Sequence, residues 1–228
     1  MKFIYIYCIL FFSLSTFCQD KSKRKYDDGN FVYEFHVSDG DKVSLRKGVR
    51  FYWYSIEGIK SSIYGVRGKV LNGLFVKVLS SSGDMVERGS FLNGLKEGEW
   101  KEWYNGGGQK KIEFWNKGLR EGRLQLFDVR SNLLKEGCYK KGRKEGRWEE
   151  YIGDTRIVNN WFNGFLNGKY EEYKNGELIK YGWYSRGVKH GIWWNKEERV
   201  KKKFKKGKLV DEDAKTFWDK LRKKKDSI

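Results

Sequence analysis

Proline is absent from the 228-residue chain, and methionine and histidine occur only twice each. Without proline, the turns must come from other residues, and 27 glycines supply the positive φ that tight turns need. The two histidines, His36 and His190, lie far apart, which excludes a histidine-based triad or a histidine-rich metal site. Of three cysteines, Cys8 and Cys18 fall in an apolar N-terminal stretch, and its removal leaves Cys138 with no intrachain disulfide partner. That stretch, residues 1–18, reads as one Lys, an apolar core and a Ser-Leu-Ser-Thr-Phe-Cys end before a charged run. It fits a secretory signal peptide and falls short of the ~20 apolar residues of a transmembrane helix. Export is the expectation, with a retained N-terminal anchor as the alternative; Phe17 before Cys18 argues against lipidation of that cysteine.

Aromatic residues make up 17% of the chain, so buried area comes from flat rings more than from aliphatic side chains. That aromatic content also excludes polar disorder. A net charge of +18 suggests anionic partners or a lysine-rich solvated surface that protects strand edges. Export would turn the first choice away from nucleic acid toward an anionic lipid or glycan surface.

The most informative pattern is Phe91-Leu92-Asn93-Gly94-Leu95-Lys96-Glu97-Gly98-Glu99-Trp100. Its form returns around Trp115 to Leu124, Tyr139 to Trp148, Trp161 to Tyr170 and Tyr184 to Trp193. Counted from the second glycine, units start at Gly48, Gly73, Gly98, Gly122, Gly146, Gly168 and Gly191, a period of 22 to 25 residues. Such a period means stacked supersecondary units, long enough for two strands and too short for a βαβ crossover. Asn-Gly and Gly-rich pairs between the strands favour primed hairpin turns.

Trp100 and Trp103 are three apart, as are Trp148 with Tyr151 and Tyr170 with Tyr173. A regular strand would place each such pair on opposite faces. Two arrangements stay open: a bulge after the glycine that restores one face, or rings on both faces of a single sheet.

Around the repeats, residues 19–47 read as a polar lead-in followed by a capping hairpin, with strands at Phe31 to Val37 and Lys42 to Arg46. Residues 48–210 are the repeats, and 211–228 read as a basic amphipathic helix capping the sheet, with Ala214, Phe217, Trp218 and Leu221 as its apolar stripe. The expected fold is all-β: an elongated antiparallel meander of about seven hairpin repeats with a short C-terminal helix.

The pattern aromatic-x-x-Gly-x-x-x-Gly-x-aromatic-x-x-aromatic resembles MORN repeats (membrane occupation and recognition nexus). It is closest to their bacterial variant, often labelled as a toxin–antitoxin system antitoxin. The resemblance covers residues 48–210, best at the units from Gly98, Gly146 and Gly168. It implies a twisted sheet of hairpins serving as a protein-interaction or lipid-associated scaffold, with no shared catalytic residues. The stretch Gly-x-Trp-x-x-Trp-Tyr also looks like the cell-wall-binding aromatic repeats of bacterial surface proteins, whose rings cage cationic or sugar ligands.

No residues assemble into a catalytic or cofactor motif. Glu149-Glu150 and Glu171-Glu172 recur because the repeat recurs, and Gly106-Gly107-Gly108 lacks the Lys-Ser/Thr and helix of a phosphate loop. The expectation is therefore no enzyme, no metal and no cofactor. Candidate contact residues are Trp100, Trp103, Trp115, Trp148, Tyr151, Trp161 and Tyr173. The C-terminal basic run offers Lys201, Lys202, Lys203, Lys205, Lys206, Lys223, Lys224 and Lys225 for an anionic surface; residues 199–228 carry a net charge of +8. The expected partner is a protein, with a cell-wall or glycan ligand as the alternative.

Overall fold

The computed structural model describes residues 22–38 and 43–211. Two hairpins come first: β1 (Lys23–Asp27) with β2 (Phe31–Val37), then β3 (Phe51–Ser55) with β4 (Gly58–Ser62). The chain then runs through β5 (Lys69–Leu79), β6 (Met85–Leu92), β7 (Leu95–Trp103), β8 (Gln109–Asn116) and β9 (Leu119–Phe127). It continues as β10 (Leu133–Lys140), β11 (Arg143–Ile152), β12 (Thr155–Phe162) and β13 (Phe165–Lys174). The last strands are β14 (Glu177–Ser185), β15 (Val188–Asn195), β16 (Val200–Lys205) and β17 (Lys208–Asp211). Every pairing is antiparallel, and from β5 to β17 each strand pairs with the next, giving the open, elongated meander expected from the repeats. One edge of β5 takes both β2 and β3.

The Gly-x-x-x-Gly spacing has a local explanation. Asn93 and Gly94 sit at φ 49° and 79°, both positive, so β6 and β7 are joined by a type I′ turn whose twist matches the strands. The same turn recurs at Lys117-Gly118, Lys141-Gly142, Asn163-Gly164, Arg186-Gly187 and Lys206-Gly207. Lysine or arginine in that left-handed region costs about 1 kcal/mol, and bonds from the preceding unit offset it. The Gly118 N–H donates to the Lys96 carbonyl at 2.9 Å, and the Lys117 N–H donates to the Glu97 carboxylate at 2.6 Å. Equivalent pairs join Gly142 to Arg120 and Lys141 to Glu121, then Gly164 to Lys144 and Asn163 to Glu145. The glutamates Glu97, Glu121 and Glu145, each just before the second glycine of its unit, are thus clamps on the next turn, and the turns stack along one edge of the sheet.

The second glycine marks a bulge. Arg88 pairs with Lys101 and Ser90 with Glu97, so Gly98 to Trp100 face the single residue Gly89. Gly98 takes φ 67°, which an L side chain rarely adopts. From Trp100 to Glu102 the register is regular again. This bulge lies before the first ring; a second register shift falls at Trp103, but its extra residue is Lys110 on β8, so β7 keeps its alternation and Trp103 stays on the other side from Trp100. Of the two arrangements left open by the sequence, the structure has the second: a bulge is present, but it does not restore one face, and rings occupy both faces.

The N-terminal reading needs correcting. The stretch taken as lead-in contains β1, which pairs with β2 from Lys23↔His36 to Asp27↔Val32. Val43 to Arg46 form no strand; β2 finds its other partner in β5, which is longer and offers more apolar residues, from Leu71 opposite Val37 to Leu79 opposite Phe31. Nor is the unit from Gly48 a rung of the ladder. Its hairpin β3–β4 folds over the ring-bearing face, with Tyr52 5.0 Å from the Phe91 ring and Tyr54 5.1 Å from Phe35. This makes a two-layer core of Phe35, Val37, Leu71, Phe75, Phe91 and Trp100 at one end. A side cluster of Val49, Phe51 and Leu95 covers the first turns. Of the helix expected over residues 211–228, Asp211 is instead the last residue of β17; its remaining residues, 212–228, and the stretch 1–18 lie outside the described residues.

Candidate binding face

Each ladder unit builds its ring-bearing face in the same way. Trp100 is 1% exposed and Trp148 2%, each lying flat over a glycine of the preceding strand, Gly89 or Gly137. Trp193 does the same over Gly182. The indole N–H of each donates to the carbonyl of the residue after that glycine: Ser90 at 3.2 Å, Cys138 at 3.1 Å and Trp183 at 3.1 Å. Where the opposed residue is larger, the ring is smaller or missing: Glu113 faces Leu124 and Asn159 faces Tyr170. The signal was present in the sequence as Gly-x-aromatic followed by Gly-x-Trp, in three units.

Onto these rings the residue two before the second glycine of the Gly-x-x-x-Gly pair lays a cation in the units of Gly98, Gly122, Gly146 and Gly191; Leu166 takes that place before Gly168. Lys96 Nζ is 3.7 Å from the Trp100 ring centre and 5.5 Å from Trp115. Arg120 lies between Trp115 and Tyr139, at 5.3 and 5.4 Å. Lys144 is 4.4 Å from Trp148 and 4.3 Å from Trp161, and Lys189 is 4.6 Å from Trp193 and 5.0 Å from Phe204. The outcome is an alternating row of rings and cations along one face, in which each contact is worth ~0.5–1 kcal/mol.

The two halves of the row differ in electrostatics. In the first half the charges are neutralised: Lys96 pairs with Glu87 at 3.0 Å, and the buried Glu113 accepts from Lys111 and Arg120, both at 3.0 Å. Burial alone would push Glu113 up, but the two cations outweigh it and hold the carboxyl below its ordinary range. In the second half neither Lys144 nor Lys189 has a carboxylate within ion-pair distance among the described residues. Burial, reinforced by Lys135, pushes Lys144 down; burial with Lys180 and Lys202 does the same to Lys189.

The sequence-predicted contact residues do not form one strip. Trp100 and Trp148 are buried and offer no contact surface. Trp115 and Trp161 share their face, half-buried under cations, and their indole N–H groups find no acceptor among the described residues. Trp103, Tyr151 and Tyr173 belong to the opposite face. That face is self-paired: Glu149 accepts from the Tyr151 hydroxyl and from Arg147, while the Arg156 guanidinium lies 4.4 Å over the Tyr173 ring. In the recurrent Glu-Glu pairs the first residue serves this face and the second the ring face, as Lys135–Glu150 at 2.9 Å shows. The sequence reading missed Tyr170, Tyr184 and Phe204, which continue the ring row.

Among the basic residues, Lys201, Lys202, Lys203 and Lys205 lie on β16, with Lys202 paired to Glu198 at 2.7 Å. Lys206 is in the last type I′ turn, and Lys223, Lys224 and Lys225 lie outside the described residues. No protein-family model matches the chain, and no curated protein matches it in sequence.

Proposed function

We propose that this chain is an exported, non-enzymatic, MORN-like repeat scaffold that binds a protein partner through the open part of its ring-and-cation face. One observation carries the reading. The β3–β4 hairpin closes the face over Phe35, Phe75, Phe91 and Trp100. From Trp148 to Phe204, no second layer among the described residues covers the rings, and Lys144 and Lys189 there lack acidic partners. Half-buried ammonium groups over aromatic rings suit acceptors on a partner that can replace the lost water.

The cell-wall reading in its cation-caging form is weakened by the same geometry. The spaces between neighbouring rings are filled by the chain's own Lys96, Arg120, Lys144 and Lys189. An anionic envelope surface remains the competing ligand. Binding of the wild type and of Lys144→Glu, Lys189→Glu and Trp161→Ala variants would be compared on envelope proteins, purified envelope polysaccharide and anionic vesicles. Saturable protein binding lost in the lysine variants supports the proposal. Binding to polysaccharide or vesicles alone, or binding indifferent to all three substitutions, overturns it. Export is checked separately, by fractionation and by finding Gln19 at the N-terminus of the processed chain.

A further inference from the structure

A second surface lies on the edge where the type I′ turns stack. The tips at Leu95 and Leu119 are covered by the cluster around Val49 and Phe51. Four later tips are not: residues 140–143, 162–165, 185–188 and 205–208. In the second of these, Phe162 and Phe165 face each other across Asn163-Gly164 and are 62% and 59% exposed. A groove opens on each flank of the pair. One is lined by Lys140, Lys141, Arg143, Glu145, Phe162 and Asn163, the other by Phe162, Asn163, Phe165, Asn167 and Arg186.

The four tips hold seven Lys and Arg and no Asp or Glu. None of the seven is paired to a carboxylate among the described residues; Arg143 instead donates to the Asn163 side-chain oxygen at 2.6 Å. The carboxylate in this lining, Glu145, is committed to the Asn163 N–H at 2.8 Å. Two exposed phenyl rings in an unneutralised basic row form an anchor flanked by charge, the composition of a recognition surface rather than of solvated turns.

The partner's class follows from the geometry of the ridge. Hydrogen bonds from Gly164 to Lys144, Gly187 to Leu166 and Gly207 to Lys189 hold successive tips in step. No single hairpin is a finger that could enter a bilayer ahead of its neighbours, and sinking the phenyls would bring the flanking cations down with them. Grooves on both sides of a ring instead suit side chains from an extended strand of polypeptide. We propose that this ridge docks an acidic protein segment, its apolar side chains against Phe162 and Phe165 and its carboxylates on Lys140, Lys141, Arg143 and Arg186. This site is separate from the open ring face and stands or falls independently of it.

The test uses the full chain and a labelled peptide alternating Glu with Leu, beside its Gln-for-Glu counterpart and vesicles of phosphatidylglycerol in phosphatidylcholine. The Glu peptide is expected to bind in a salt-sensitive way, to weaken about tenfold with Phe162→Thr or Phe165→Thr and to weaken likewise with Lys141→Glu/Arg143→Glu. Ile152→Thr, an exposed apolar residue beside the turn on the opposite edge, is expected to change nothing. Because all these side chains are exposed, unchanged near-ultraviolet circular dichroism separates lost binding from lost folding. Equal binding of the Gln peptide, binding of neither peptide, binding of vesicles in place of the Glu peptide, or indifference to the tip substitutions overturns the proposal.

Discussion

The bond shared by the two rings of the Trp100 indole lies where a side chain on Gly89 would begin. A Cβ at that position would stand 2.2 Å from the ring. Gly137 stands in the same relation to Trp148, at 2.1 Å, and Gly182 to Trp193, at 2.2 Å. These strand glycines have ordinary extended backbones, so the constraint on them is space alone.

Gly89→Ala is therefore expected to destabilise the fold by about 1–3 kcal/mol, the cost of overpacking a fixed core. Gly137→Ala should behave alike. Gly65 has nothing within 4 Å of its added Cβ and no positive φ, so Gly65→Ala should change stability by less than about 0.5 kcal/mol. Urea denaturation followed by tryptophan fluorescence measures all three. Equal tolerance at Gly89 and Gly65 would show that the indole can move aside.

The turn clamps predict a different kind of loss. Glu121→Ala removes the acceptor of the Lys141 N–H, and Glu145→Ala that of Asn163. Each should cost ~1 kcal/mol, with amide exchange speeding up first at the turn of the following unit. Acceleration confined to the mutated strand itself would contradict the clamp.

Glu113 predicts an acid dependence. Its folded-state pKa is held below the ordinary value of 4.5 by Lys111 and Arg120. A carboxyl with a depressed folded pKa stabilises fully above its unfolded pKa and loses that contribution as pH falls through the folded pKa. Stability should thus decline below about pH 5, more steeply in the wild type than in Glu113→Gln. At neutral pH Glu113→Gln should cost about 1–3 kcal/mol, since Lys111 keeps its pairing to Glu102 and Arg120 is partly exposed to water. Parallel pH profiles for the two proteins would remove Glu113 from the account.

Lys144 is expected to serve binding at the expense of stability. Burial lowers its pKa, so the folded state disfavours its proton and the penalty shrinks as pH rises toward the unfolded lysine range. Lys144→Met should leave stability within about 1 kcal/mol of the wild type or slightly above it, since the lost ring contact is worth ~0.5–1 kcal/mol. Partner binding at the open face should fall in the same variant. A larger loss of stability would make the lysine a structural member of the ring row.

The period of the glycines, the hairpin turns and the all-β ladder were legible because each depends on neighbours within one unit. Gly94 and Gly98 are needed for backbone reasons that act over a few residues. The candidate contact strip was not legible. Whether Trp100 is exposed depends on Gly89 in another strand, and whether Trp103 shares its face depends on where the bulge falls.

The sequence by itself determined that this chain is a meander of glycine-marked β-hairpins, because turn and bulge geometry are set by local φ preferences. Only the tertiary structure decided that the unit from Gly48 leaves the ladder to cover one end of it. Only there, too, did Lys96, Arg120, Lys144 and Lys189 meet the rings. Those outcomes rest on contacts between strands, such as Tyr52 with Phe91 and Lys144 with Trp161, which no repeat pattern within a single unit encodes.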